Sequence, residues 1–163
     1  MQGNPKVIEH LQRLLANELA AIDQYFIHGH MYEDWGYARL QARILHESED
    51  ERGHAALLIQ RMLFLDAIPD MRQRDGLRVG RDVPEMLAND LQLEYAVVAA
   101  LKEAIACCEQ ERDYQTRQIL LSILADTEED HAYWLEQQLG LIDALGLANY
   151  LQTQLHAVAA PAD

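Results

Sequence analysis

Glycine and proline punctuate this chain at few points: near Pro5, at Gly36, across the stretch from Pro69 to Pro84, and at Gly140 and Gly146. Both residues interrupt helices, proline because it lacks an N–H and glycine because ordering it costs backbone entropy. Between these points the apolar residues recur at every third or fourth position. Leu11, Leu15, Ile22 and Phe26 form one such series, and Leu87, Leu91, Val98, Leu101 and Ile105 another. That is the period of one helix face. No segment sustains the alternation of a half-buried strand. The pattern predicts an all-α chain, with four long helices over about 5–33, 37–65, 83–110 and 115–140 and a short fifth over about 145–156.

With 163 residues and 50% hydrophobic content, the chain can bury a core, and its length fits a single domain over residues 1–163. The first and second helices are joined by a short turn, as are the third and fourth, which makes each pair antiparallel. The middle segment IPDMRQRDGLRVGRDVPEM is long enough to run the length of a bundle. A ferritin-like four-helix bundle with one long crossover uses such a segment. An up-down-up-down bundle with a loose middle loop has the same loop lengths, so the loops alone leave both open.

The formal net charge is −14, which repels phosphate backbones and favours cations as partners; it also fits a surface that serves solubility alone. Nucleic acid is not an expected partner. Charges break the first thirty residues too often for a signal peptide, and the most apolar segment, EYAVVAALKEAIACCEQ, carries Lys102 and Glu103. A cytoplasmic location away from membranes is expected. Cys107 and Cys108 are adjacent, cannot form an ordinary disulfide with each other, and read as plain helix residues in a reducing compartment.

Ionisable residues break the apolar stripes where core residues are expected. The second helix reads Leu40, Ile44, Glu47, Glu51, His54, Leu58, Met62 in steps of three or four. Glu18 falls between Leu15 and Ile22, Glu94 between Leu91 and Val98, and Glu128 and His131 between Leu124 and Leu135. Glu51-x-x-His54 and Glu128-x-x-His131 each set a carboxylate and an imidazole on one helix face, about one turn apart. That spacing alone recurs by chance; the heights decide. Glu18 lies 17 residues before Trp35 and Glu51 lies 16 after it, while Glu94 and Glu128 lie 17 before and 17 after Glu111. Folding each hairpin about its turn brings the four carboxylates to one level. No lysine or arginine is expected on those stripes at that level. Four glutamates and two imidazoles would balance two divalent cations, the arrangement of di-iron carboxylate bundles. Iron, manganese and zinc all suit oxygen and imidazole ligands; iron is preferred because a carboxylate-rich pair can cycle between ferrous and ferric states.

The chain resembles a bacterioferritin-type ferritin through VIEHLQRLLANELAAIDQYFIH, MYEDWG, HESEDERGH, EMLANDLQLE, CEQERDY, DTEEDHAYWLEQQLGLI and GLANYLQTQL. The resemblance implies a hollow shell of 24 subunits, oxidation of ferrous ions by dioxygen or hydrogen peroxide at each di-iron centre, and storage of a ferric mineral. It assigns Glu18 and Glu94 as terminal ligands, Glu51 and Glu128 as bridging ligands, and His54 and His131 as imidazole ligands. It sets Tyr25 next to the centre, with Glu47 in reach of the ligands. His46 and Asp50 match an inner-surface iron site of some members, and a solvated surface pair fits them equally well. One position departs from the pattern. Where bacterioferritins carry a haem-ligating methionine, this chain has Arg52, so a shell of this subunit alone is expected to lack haem. Mixed shells with a methionine-bearing subunit remain open. A rubrerythrin-like peroxidase would need a Cys-x-x-Cys pair that is missing, a twelve-subunit mini-ferritin takes its ligands from two chains, and a metal-free helical adaptor leaves six polar core residues unexplained.

Overall fold

A computed structural model describes residues 2–156, and these residues are helical without strands. The elements are α1 (Pro5–Asp34), α2 (Ala38–Phe64), α3 (Val83–Gln110), α4 (Tyr114–Asp126), a π-helical turn (Thr127–Ala132), α5 (Tyr133–Leu145) and α6 (Leu147–Thr153). The first three match the expected helices. The fourth helix runs on past 140 to Leu145 and holds a widened turn that the sequence reading did not foresee. Local chemistry sets several of the starts. Asn4 accepts from the Lys6 amide with Pro5 at the first helical position, Asp82 accepts from Glu85 with Pro84 close behind, and Asp113 accepts from Thr116. Gly36, at φ 81°, takes the left-handed conformation that turns the chain from α1 into α2.

Side-chain pairs give the topology. Lys6 meets Glu111, Arg13 meets Glu103, Tyr25 meets Glu94 and His28 meets Asp90, so α3 runs antiparallel to α1. Arg61, near the end of α2, pairs with Asp113 just past the end of α3 at 2.8 Å, so α2 and α3 point the same way. This is the one-crossover arrangement, and the up-down-up-down alternative is excluded. The crossover lies along α1 in step with it, through Gln12 and Asp70, Asn17 and Asp75, Gln24 and Arg78, and His28 and Gly80. No helix among the described residues is long and apolar enough to cross a membrane.

The core is in two parts. One cluster gathers Leu11, Leu15, Leu58, Leu101, Leu120 and Ile123; the other gathers Tyr25, Leu40, Ile44, Leu87, Leu91 and Leu135. Between them lies a belt of buried polar residues that includes Glu18, Glu47, Glu51, His54, Glu94, Thr127 and His131. Apolar packing above and below is what keeps water from this belt and fixes its helices.

Candidate metal centre

Glu51 is the hub of the belt. Its Oε2 lies 2.8 Å from Nδ1 of His54, one turn ahead on α2, and its Oε1 lies 3.0 Å from Nδ1 of His131 in the π-helical turn. Each oxygen therefore serves a different imidazole. On one side Glu18 Oε2 stands 3.8 Å from His54 Nδ1, and on the other Glu94 Oε1 stands 3.8 Å from His131 Nδ1. The result is two triads, Glu18–Glu51–His54 and Glu51–Glu94–His131, whose ligand atoms each fall within 4.8 Å of one another. The two imidazoles stack with centroids 5.8 Å apart, and the Tyr25 hydroxyl donates to Glu94 Oε1.

Both oxygens of Glu18 and Oε2 of Glu94 are buried without a hydrogen-bond partner. Leaving carboxylate oxygens in this state is costly, and cations would satisfy them. Burial, reinforced by the nearby Glu51 charge, pushes the Glu18 carboxyl well above the usual range, and burial pushes Glu94 up to about 7 against the opposing pull of His131. Burial also works against the charge on Glu51, yet close contact with Glu18 and hydrogen bonds with the two histidines hold it well below the usual range. Burial disfavours both imidazolium ions, but contacts with Glu18 and Glu51 raise His54 to about 10, and contacts with Glu47 and Glu51 raise His131 to about 11. Without metal the belt thus holds protons where divalent ions would displace them.

Glu128 departs from expectation. Its side chain is 41% exposed and its Oε1 lies 2.5 Å from Lys102 Nζ on α3. Thr127 takes the inward place instead, 1% exposed, its hydroxyl donating to the Ile123 carbonyl at 2.8 Å. The cause is the π-helical turn, whose wider winding separates Glu128 from the face of His131 more than an α-helix would. The stripes themselves carry no lysine or arginine at this level, but cations reach it from neighbouring faces. Lys102 meets Glu128, and Arg43 Nε lies 2.7 Å from Glu47 Oε1. His46 and Asp50 sit 3.7 Å apart on the rim of the site, with side chains 62% and 37% exposed. Asp126, whose Oδ2 is 3.4 Å from His54 Nε2, and Asp130, held by Arg43 at 2.6 Å, escaped the sequence reading. Arg43 precedes Glu47 by four positions, a signal that was available.

Two carboxylate-imidazole triads sharing one glutamate across a four-helix bundle with a single crossover is an arrangement with known counterparts. Residues 8–145 match the family model of the ferritin-like domain. The chain belongs to the ferritin-like family. It is 63% identical to a bacterial ferritin of Synechocystis sp. over 95% of its own length and 99% of that protein's, and 58% identical to a bacterial ferritin of Pseudomonas aeruginosa over 95% and 100%. It is also 41% identical to a bacterioferritin of Brucella melitensis over 100% and 98%. In this ferritin-like chain the position expected for a haem-ligating methionine is Arg52, 61% exposed and 3.5 Å from Glu49. A guanidinium offers no lone pair to a haem iron, so this residue does not fit the group.

Proposed function

We propose that the chain is an iron-storage ferritin subunit that oxidises Fe²⁺ to Fe³⁺ with dioxygen or hydrogen peroxide at the Glu51 belt. In this reading copies of it, 24 in number, assemble in the cytoplasm into a hollow shell that holds the ferric mineral. The observation that carries the reading is the division of Glu51 between two triads whose outer carboxylates have unsatisfied buried oxygens.

Two ferrous ions are the substrates. Glu18 and His54 receive one and Glu94 and His131 the other, with Glu51 between them. Glu128 joins as a sixth ligand once the ions draw it from Lys102. Each ion gives up one electron, and the pair's two electrons, with two protons drawn from solvent, take dioxygen to hydrogen peroxide or hydrogen peroxide to two waters. The carboxylates favour the products, because each additional positive charge on iron is stabilised by fixed negative groups in a site closed to water. Tyr25 fixes Glu94 by its hydrogen bond, and Glu47 steadies His131 from the side away from the ions.

Stopped-flow oxidation of Fe²⁺ in the wild type and in the Glu51→Ala, His54→Ala double variant tests this. Rapid oxidation that saturates near two irons per chain and is lost in the double variant is the expected result. Equal rates would remove these residues from the catalytic centre.

A further inference from the structure

The two triads meet at Glu51 but are not supported alike on their outer sides. Behind His54, Nε2 faces Asp126 at 3.4 Å, a carboxylate whose side chain is 61% exposed. Behind His131, Nε2 faces Glu47 Oε2 at 3.0 Å, and that side chain is only 3% exposed. A buried carboxylate needs a counter-charge, and here it has one. Arg43 sets Nε 2.7 Å from Glu47 Oε1, donates to Asp130 at 2.6 Å from another nitrogen, and lies over the Trp134 ring at 5.3 Å. Arg43 therefore joins α2 to the π-helical turn that carries His131 and to the start of α5. Neither Glu47 oxygen has a partner with hydrogen-bond geometry, so charge rather than a directed bond holds this carboxylate. Glu47, Asp130 and His131 also form a carboxylate-imidazole group of their own, and the guanidinium occupies the cation's place between its two carboxylates. The group is thus committed to support.

A ligand histidine whose outer nitrogen is held by a fixed anion keeps its ring orientation and donates more strongly through the inner nitrogen. His131 has that support, with Nδ1 turned to Glu51 and Glu94; His54 has only a solvated partner. We propose that Arg43 is a positioning residue which, through Glu47, makes the Glu51–Glu94–His131 half the tighter of the two metal sites. Arg43 touches none of the metal-binding groups itself. The inference rests on the two-ion reading above, and it adds that the two sites fill unequally and names the residue that causes it.

Titration of the assembled, metal-free protein with Co²⁺ alone, followed by visible absorption, tests it without any turnover. The wild type takes up two Co²⁺ per chain in two resolved steps, and His131→Ala removes the tighter one. Arg43→Gln weakens the tighter step about tenfold, the low end for losing such support, and leaves the weaker step in place. Glu47→Gln does the same. If Arg43 acts through Glu47, the double variant binds no more weakly than Glu47→Gln alone. Should Arg43→Gln not assemble, Glu47→Gln and Arg43→Lys carry the comparison, the first with the loss and the second near wild type. Two equal sites in the wild type, a parallel loss at both steps, or additive losses in the double variant would overturn the proposal. Uptake of fewer than two Co²⁺ by the wild type would overturn the two-ion reading itself.

Discussion

The ammonium of Lys102 and the carboxylate of Glu128 meet at 2.5 Å across α3 and the π-helical turn, with side chains 58% and 41% exposed. An ion pair this open to solvent contributes about 0.5 kcal/mol or less. Lys102→Met should therefore leave thermal unfolding almost unchanged and should not slow iron oxidation. Glu128→Gln should slow it, because the centre loses an anionic ligand when ions are present. Oxidation by Glu128→Gln at the wild-type rate would leave Glu128 as a surface partner of Lys102 and nothing more.

The belt makes the metal-free protein prefer acid. Glu94 titrates at about 7 in the fold against 4.5 in the ordinary carboxyl, and Glu18 is shifted the same way, so stability falls as pH rises through that window. His54 and His131, raised to about 10 and 11 from 6.5, contribute stability that is whole below 6.5 and lost as pH climbs through those values. Glu51 is shifted down, and its opposing contribution is lost only below its ordinary value of 4.5. Chelated protein should then melt at a higher temperature near pH 5 than near pH 8.5, and added Zn²⁺ should shrink or reverse the difference. Calorimetry showing a metal-free melting point that rises over this range would count against the described protonation of the belt.

His28 and Asp90 form a second buried polar unit, away from the metal ligands. Both side chains are fully buried, with Nδ1 of His28 2.9 Å from Asp90 Oδ1, and Gln24 donates to the same carboxylate at 2.7 Å. His28 Nε2 accepts from the Gly80 amide and Gln24 Oε1 from the Arg78 amide, which ties the crossover to α1. Asp90→Asn should destabilise the fold by about 3 kcal/mol, since it strips one partner from a buried pair. Amide exchange at residues 78–82 should quicken more than at the centre of α2. Uniform quickening would mean that the pair does not specifically hold the crossover.

Purified assemblies of this subunit alone should show no Soret absorption, because the guanidinium at position 52 has no lone pair to give a haem iron. Arg52→Met should allow haem uptake if the surrounding crevice is otherwise retained. A Soret band in the unaltered protein would require a ligand other than residue 52.

Much of the fold was legible because its causes are local. The three- and four-residue period gave α1, α2 and α3, and equal distances from the two turns placed Glu18, Glu51 and Glu94 at one height. The π-helical turn was not legible. The buried positions Ile123, Thr127, His131 and Leu135 advance by four each time, whereas an α-helix has about 3.6 residues per turn, so a strict helix would rotate this stripe off the core. Leu124 and Glu128 satisfy the α-helical period equally well, so the count alone favours the wrong face. Arg43 and Lys102 were missed for a different reason. Long basic side chains reach charges well away from their own stripe, so a search along stripes does not find them.

The π-helical turn stands at the boundary between the two hydrophobic clusters. Leu120 and Ile123 before it belong to one, and Ala132 at its end and Leu135 after it belong to the other. One extra residue at that boundary acts as a splice, letting each half of the helix seat its own side chains without dictating the rotation of the other. Enlarging or shrinking a side chain in one cluster would then be accommodated on its own side of the splice. Such a helix lets the two ends of the bundle vary independently while the belt between them keeps its geometry.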